Sequence, residues 1–90
     1  MKAIEGKLVL SFSYKSSQRT VEPYILGFDD RHQLILSAVQ LSGGRGAGFR
    51  TFHVSELSNL AVTDQKFYGK HPDYNPRDPL FEEKIAQVAA

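Results

Sequence analysis

The chain has 90 residues, 41% of them hydrophobic and 23% charged, with a formal net charge of +1. That length suits one domain, able to bury roughly 60–65% of its unfolded surface without staples. With no cysteine there is neither a disulfide framework nor thiolate chemistry, as expected of a cytoplasmic protein, and the near-zero charge means that any anion binding depends on a local cluster.

The N-terminus, MKAIEGKLVLSFSYK, has no unbroken apolar run of signal-peptide length, and nothing approaches the ~20 apolar residues that span a bilayer. From Lys7 to Lys15, Leu8, Leu10, Phe12 and Tyr14 share one parity, while polar residues take most of the other. This period of two predicts a half-buried strand. Ser16-Ser17-Gln18 reads as a turn. A second strand is expected from Arg19 to Phe28, with a bulge, bend or edge at Pro23, which cannot donate to a ladder, and a second bend at Gly27. Asp29 to His32 form a polar turn.

Gln33 to Leu41 (QLILSAVQL) is apolar on both parities, as in a strand covered on both faces. Ser42 to Gly48 reads as a mobile loop, Phe49 to Val54 as a returning strand, Ser55 to Leu57 as a turn and Leu60 to Thr63 as a last short strand. Five short strands with tight connections point to a mainly β fold, a small barrel or sandwich.

The domain is drawn as residues 1–67, followed by a C-terminal segment, 68–90. Residues 66–79 hold three of the four prolines and read as extended and irregular. They are expected to form a strap across the same domain, anchored by Tyr68 and Tyr74; the other reading is a recognition segment for a partner. Asp78 is placed as an N-cap with Pro79 at the first helical position. Phe81, Ile85 and Val88, at i, i+4 and i+7, predict a short C-terminal helix, with Glu82 and Glu83 in its first turn.

Several catalytic classes find no support in the sequence. His32, His53 and His71 are far apart and lack metal-ligand spacing. Asp29-Asp30 makes an incomplete magnesium site and is more simply a turn. The loop around Arg45 lacks the phosphate-loop pattern, and a strand rather than a helix follows it. No nucleophile–base pair is visible. The expectation is therefore a protein that is not an enzyme and that needs neither a metal nor a cofactor.

Four segments follow one another in a definite order. L-S-F-S-Y ends in Tyr14, and R-T-V-E-P-Y-I-L-G carries Arg19, Pro23, Tyr24, Leu26 and Gly27. Leu34-Ile35-Leu36 runs into Ser37-Ala38; after a glycine-containing loop, F-R-T-F-H-V-S-E-L carries Arg50, Phe52 and Leu57. Over Leu8 to Phe67 this order resembles the WYL domain family. The departures are Leu34-Ile35 in place of the naming Trp-Tyr, no winged helix ahead of the domain, and a tail outside the pattern.

The resemblance implies an SH3-like or Sm-like barrel, used as a ligand-sensing or nucleic-acid-binding module in bacterial transcription regulators, phage-defence systems and some helicases. It also singles out Arg19 and Arg50, whose planar guanidinium forks suit phosphate and guanine edges. Tyr14 supplies a ring for base stacking, Ser37 and His53 complete a polar patch, and Arg45 sweeps over a bound strand. The expected ligand is single-stranded nucleic acid or a nucleotide. The plainer readings make Arg19 and Arg50 surface arginines, paired with Glu22 or Glu56, and Tyr14 a core or rim aromatic. The other functional expectation is a protein-interaction or homo-oligomerisation module acting through sheet edges and the C-terminal helix.

Overall fold

The computed structural model describes residues 2–43 and 48–89. A one-turn helix α1 (Lys2–Glu5) precedes strands β1 (Leu8–Tyr14), β2 (Ser17–Phe28), β3 (Leu34–Ser42) and β4 (Gly48–His53). A 3-10 turn (Val54–Glu56) leads to β5 (Ser58–Lys66), and β6 (Glu83–Gln87) closes the chain. All pairings are antiparallel, in the order β4-β3-β2-β1-β5, with β6 joined to β2 off that path. The mainly β expectation holds. The ladder does not close on itself, because β4 and β5 end the path.

β1 and β2 form a hairpin whose two turn residues, Lys15 and Ser16, both have positive φ, 49° and 62°. Positive φ at both central positions matches the right-handed twist of the flanking strands. The turn thus falls one residue earlier than its sequence cues place it. β2 is long because one edge serves two partners. Ser17 to Val21 pair with β1, and Ile25 to Phe28 pair with β6. Pro23, with no N–H to give, falls in the gap between them, and the register with β3 shifts between Pro23 and Ile25.

The expected double coverage of β3 holds too: Ile35 to Gln40 are buried on both parities. One face carries Leu36 and Ala38 toward the interior of a rolled sheet. The roll is evident from Phe12 on β1 and Phe52 on β4, whose rings meet edge-on at 5.1 Å. In a flat sheet those strands would lie roughly 14 Å apart.

The other face lies under residues 67–81. Tyr24 there meets Phe49 at 5.1 Å, Phe67 at 5.5 Å and Tyr74 at 4.9 Å, and its hydroxyl accepts a bond from the His71 N–H at 3.1 Å. The tail is a strap on its own sheet, and one apolar cluster runs from Ala3 through Phe81 to Val88. Tyr74 is an anchor as expected. Tyr68 is not: it is 90% exposed.

The expected C-terminal helix is not formed. Asp78 uses its carboxylate to accept the Leu80 N–H at 3.0 Å, but this makes a turn and not a helix cap. The Glu82 N–H then bonds the Phe28 carbonyl at 2.8 Å, and the chain continues as β6 along β2. A helix of about ten residues is marginal alone, whereas the β2 edge beyond Val21 offers ladder groups that need partners. The stripe of three also fails: Phe81 and Val88 are buried, yet Ile85 is 51% exposed. Gly27 makes the pairing possible, since a Cβ there would collide with the Glu83 carbonyl and stand 3.0 Å from the Lys84 Cα.

Candidate nucleic-acid interface

Directly opposed residues on neighbouring strands share a face. Phe12 opposes Arg19, and Leu10 opposes Val21; Phe12, Leu10 and Val21 are wholly buried. Arg19 is therefore on the inner face of the roll, at the end where the β1–β2 hairpin turns, and is not an ordinary surface arginine. Its Cζ stands 5.1 Å from the centre of the Tyr14 ring, and Lys15 Nζ stands 5.4 Å from the same centre. The Tyr14 ring abuts Phe52 edge-on at 5.0 Å, so it is a rim aromatic with one edge fixed by the core.

Gln40 completes the group. It is 0% exposed, on the inner face opposite Val21 and Gly48. Its Oε1 accepts from Arg19 Nη1 at 3.0 Å, and its Nε2 donates to the Gly43 carbonyl at 2.7 Å. Gly43, with φ of +91°, leaves room for this approach: a Cβ there would collide with the Gln18 carbonyl and stand 3.2 Å from the Arg19 Cα. Arg19 Nε is buried and has no hydrogen-bond partner among the described residues. An unsatisfied donor on a permanently charged group is costly.

Arg50 opposes Ala38 and shares the parity of Gly48 and Phe52. By register it is a diagonal neighbour of Gln40, about 7–8 Å away. Its Nη1 folds back onto the Phe49 carbonyl at 3.1 Å. The same nitrogen stands 3.8 Å from where a Cβ on Gly48 would lie. Arg50 also lines a cavity of about 150 Å³ under the strap, with Ser37, Thr51, Asp73, Tyr74 and Asp78.

The structure thus brings Tyr14 and Arg19 together, leaves Arg50 a diagonal register step from Gln40 with its guanidinium on the Phe49 carbonyl, and separates the other two described candidates. Ser37 is buried on the opposite face, in that small cavity between sheet and strap. His53 lines a hollow of about 410 Å³ with Asp29, Asp30 and Glu82, whose carboxylates repel phosphate. Arg45 lies outside the described residues. Asp29 is occupied as a turn-former, accepting from the Arg31 and Gln33 N–H groups at 2.9 Å. Among the described residues no group of three or more His, Asp or Glu is arranged to hold a metal ion, and no helix is long and apolar enough to cross a membrane.

Gln40 was not among the sequence candidates; the one signal for it is a large polar side chain late in an apolar strand, QLILSAVQL, and its role depends on the register. No protein-family model, curated protein or solved structure matches the chain.

Proposed function

We propose that this chain is a non-enzymatic, cytoplasmic regulatory module that binds single-stranded nucleic acid or a nucleotide at the hairpin end of its rolled sheet. The observation that carries this reading is the Arg19 guanidinium, held over the Tyr14 ring by Gln40. A base stacks on the exposed side of that aromatic–cation pair, and phosphate oxygens meet Arg19, Lys15 and Arg50. We read the roll as a barrel of the SH3-like or Sm-like kind. The WYL-like order of segments and the Phe12–Phe52 contact across the interior support that reading.

The test is fluorescence anisotropy of labelled single-stranded and duplex oligonucleotides at two salt concentrations. Binding should weaken with salt as counterions are released. Arg19→Ala should weaken it about 10- to 100-fold, the range for a lost hydrogen bond to a charged group. Arg19→Lys should restore little, lacking the planar fork. Unchanged binding in Arg19→Ala/Arg50→Ala removes both from the site, and no binding of any oligonucleotide or nucleotide at low salt overturns the reading.

A second reading, self-association, is favoured by β5. This terminal strand is exposed along nearly its whole length, with Leu60 and Val62 52% and 54% exposed. Antiparallel pairing of β5 with a second copy about Ala61 sets each Leu60 opposite the other copy's Val62. It also brings each Lys66 toward the 3-10 turn that carries Glu56.

A further inference from the structure

From Lys66 to Lys70 the chain alternates exposed, buried, exposed, buried, exposed: Lys66, Tyr68 and Lys70 face out, and Phe67 and Gly69 face in. The segment is tied down at several points. The Phe67 N–H bonds the Lys7 carbonyl at 2.9 Å, and Phe67 contacts Tyr24. Gly69 has φ of +75°, and a Cβ there would stand 3.1 Å from Lys7 Cε and 3.7 Å from its Nζ. The Lys7 stem therefore lies across Gly69, beside Tyr68. A tyrosine ring that is 90% exposed on an anchored backbone covers little of its own core; Lys66 and Lys70 share its outward side of the segment, and Lys7 lies on the side that Gly69 faces. Tyr68 itself lines a hollow with Glu22, Tyr24, Gly69, Lys70 and His71, so one carboxylate borders the patch there and its positive side is the side of Lys7 and Lys66.

We infer that Tyr68, with Lys7, Lys66 and Lys70, is a second stacking and phosphate-binding site, and that the ligand is a polymeric single strand and not a free nucleotide. The inference rests on the function proposed above and names its substrate class. Lys7 and Lys66 adjoin the start of β1, where Lys66 opposes Leu8, while Tyr14 ends it. Seven residues of strand separate the two sites by roughly 20 Å, too far for one nucleotide. β5 runs between them, from Ser58 opposite Ser13 to Lys66 opposite Leu8, with its outer edge open among the described residues. Aromatic platforms with cations beside them hold single strands without base readout; the stretch of β5 between the two sites is polar or apolar, with one carboxylate, Asp64, and a strand crossing it would be held at its two ends.

The experiment measures anisotropy of a labelled twelve-nucleotide thymidine strand and of an abasic strand with the same phosphates. It compares the unchanged protein with Tyr68→Ala, Tyr68→Phe, Lys66→Ala/Lys70→Ala and Arg19→Ala. Tyr68→Ala should weaken the thymidine strand about 5- to 100-fold, Tyr68→Phe should retain binding, and the abasic strand should be indifferent to position 68. The double lysine variant should lower the salt slope by about 1.4. Thymidine monophosphate should compete only at far higher concentration than the strand. If Tyr68→Ala binds the thymidine strand as well as the unchanged protein, or the monophosphate competes equally, the inference fails. Loss of binding in Arg19→Ala alone would then leave the first site standing. Loss in Tyr68→Ala alone would move the site to Tyr68.

Discussion

At the scale of single residues, two polar groups set the chemistry, one buried and one half-buried. Gln40 orients Arg19, and Glu22 carries a carboxyl that burial pushes above its ordinary value of 4.5, with the His71 imidazole pulling it partway back. The folded chain therefore holds the Glu22 proton more tightly than the unfolded chain. Its stabilising effect is present below the ordinary glutamate range and is lost as pH rises through the raised folded value. Glu22→Gln removes the ionisation, so its melting temperature should gain on that of the unchanged protein as pH goes from 4 to 7. A constant difference across that range would show that Glu22 is not desolvated. Tyr14, Arg19 and Arg50 were readable as candidates from residue type and order. Gln40 was not, because burial of a glutamine depends on which strands flank it.

Among the elements, β6 departs furthest from expectation. Local signals near Asp78 and Pro79 are genuine helix-start signals, and Asp78 does accept the Leu80 N–H. What overrides them is non-local: β2 outruns β1, and the exposed half of its edge takes up Glu83 to Gln87. Amides of β6 should exchange slowly with solvent by hydrogen-exchange mass spectrometry. Phe81→Ala, which empties the buried position just ahead of β6, should cost about 3 kcal/mol, lowering the melting temperature by roughly 12–24 °C. Fast exchange over β6 together with a helical circular-dichroism signal would overturn this assignment. The strap was legible as an ordered tail, since its prolines exclude regular structure. Its second expected anchor, Tyr68, faces solvent because Phe67 takes the inward place next to it.

For the whole molecule, the radius of gyration of 12.0 Å matches the ~12 Å expected of a compact chain of this length, so sheet and strap make one body. Its open feature is the terminal strand β5, for which self-association and a nucleic-acid strand compete. If a second copy takes that edge, sedimentation at tens of micromolar should show a concentration-dependent dimer that Val62→Lys abolishes by setting a charge opposite Leu60. A strict monomer in the unchanged protein removes that reading and leaves β5 open to the strand.

The sequence by itself determined roughly where the strands β1 to β5 lie, though β5 runs from Ser58 to Lys66 and not only from Leu60 to Thr63, and which parity β1 buries. It also determined that β3 is covered on both sides and that Pro23 interrupts β2. All of these follow from side-chain periodicity and from the backbone limits of proline, which act within a few residues. Only the tertiary structure decided that the tail ends as a strand, that Arg19 and Tyr14 meet over Gln40 while Ser37 and His53 lie elsewhere, and that Tyr68 stands exposed between Lys66 and Lys70. Those outcomes depend on register and on the roll of the sheet, which join residues dozens of positions apart, and no local pattern encodes that distance.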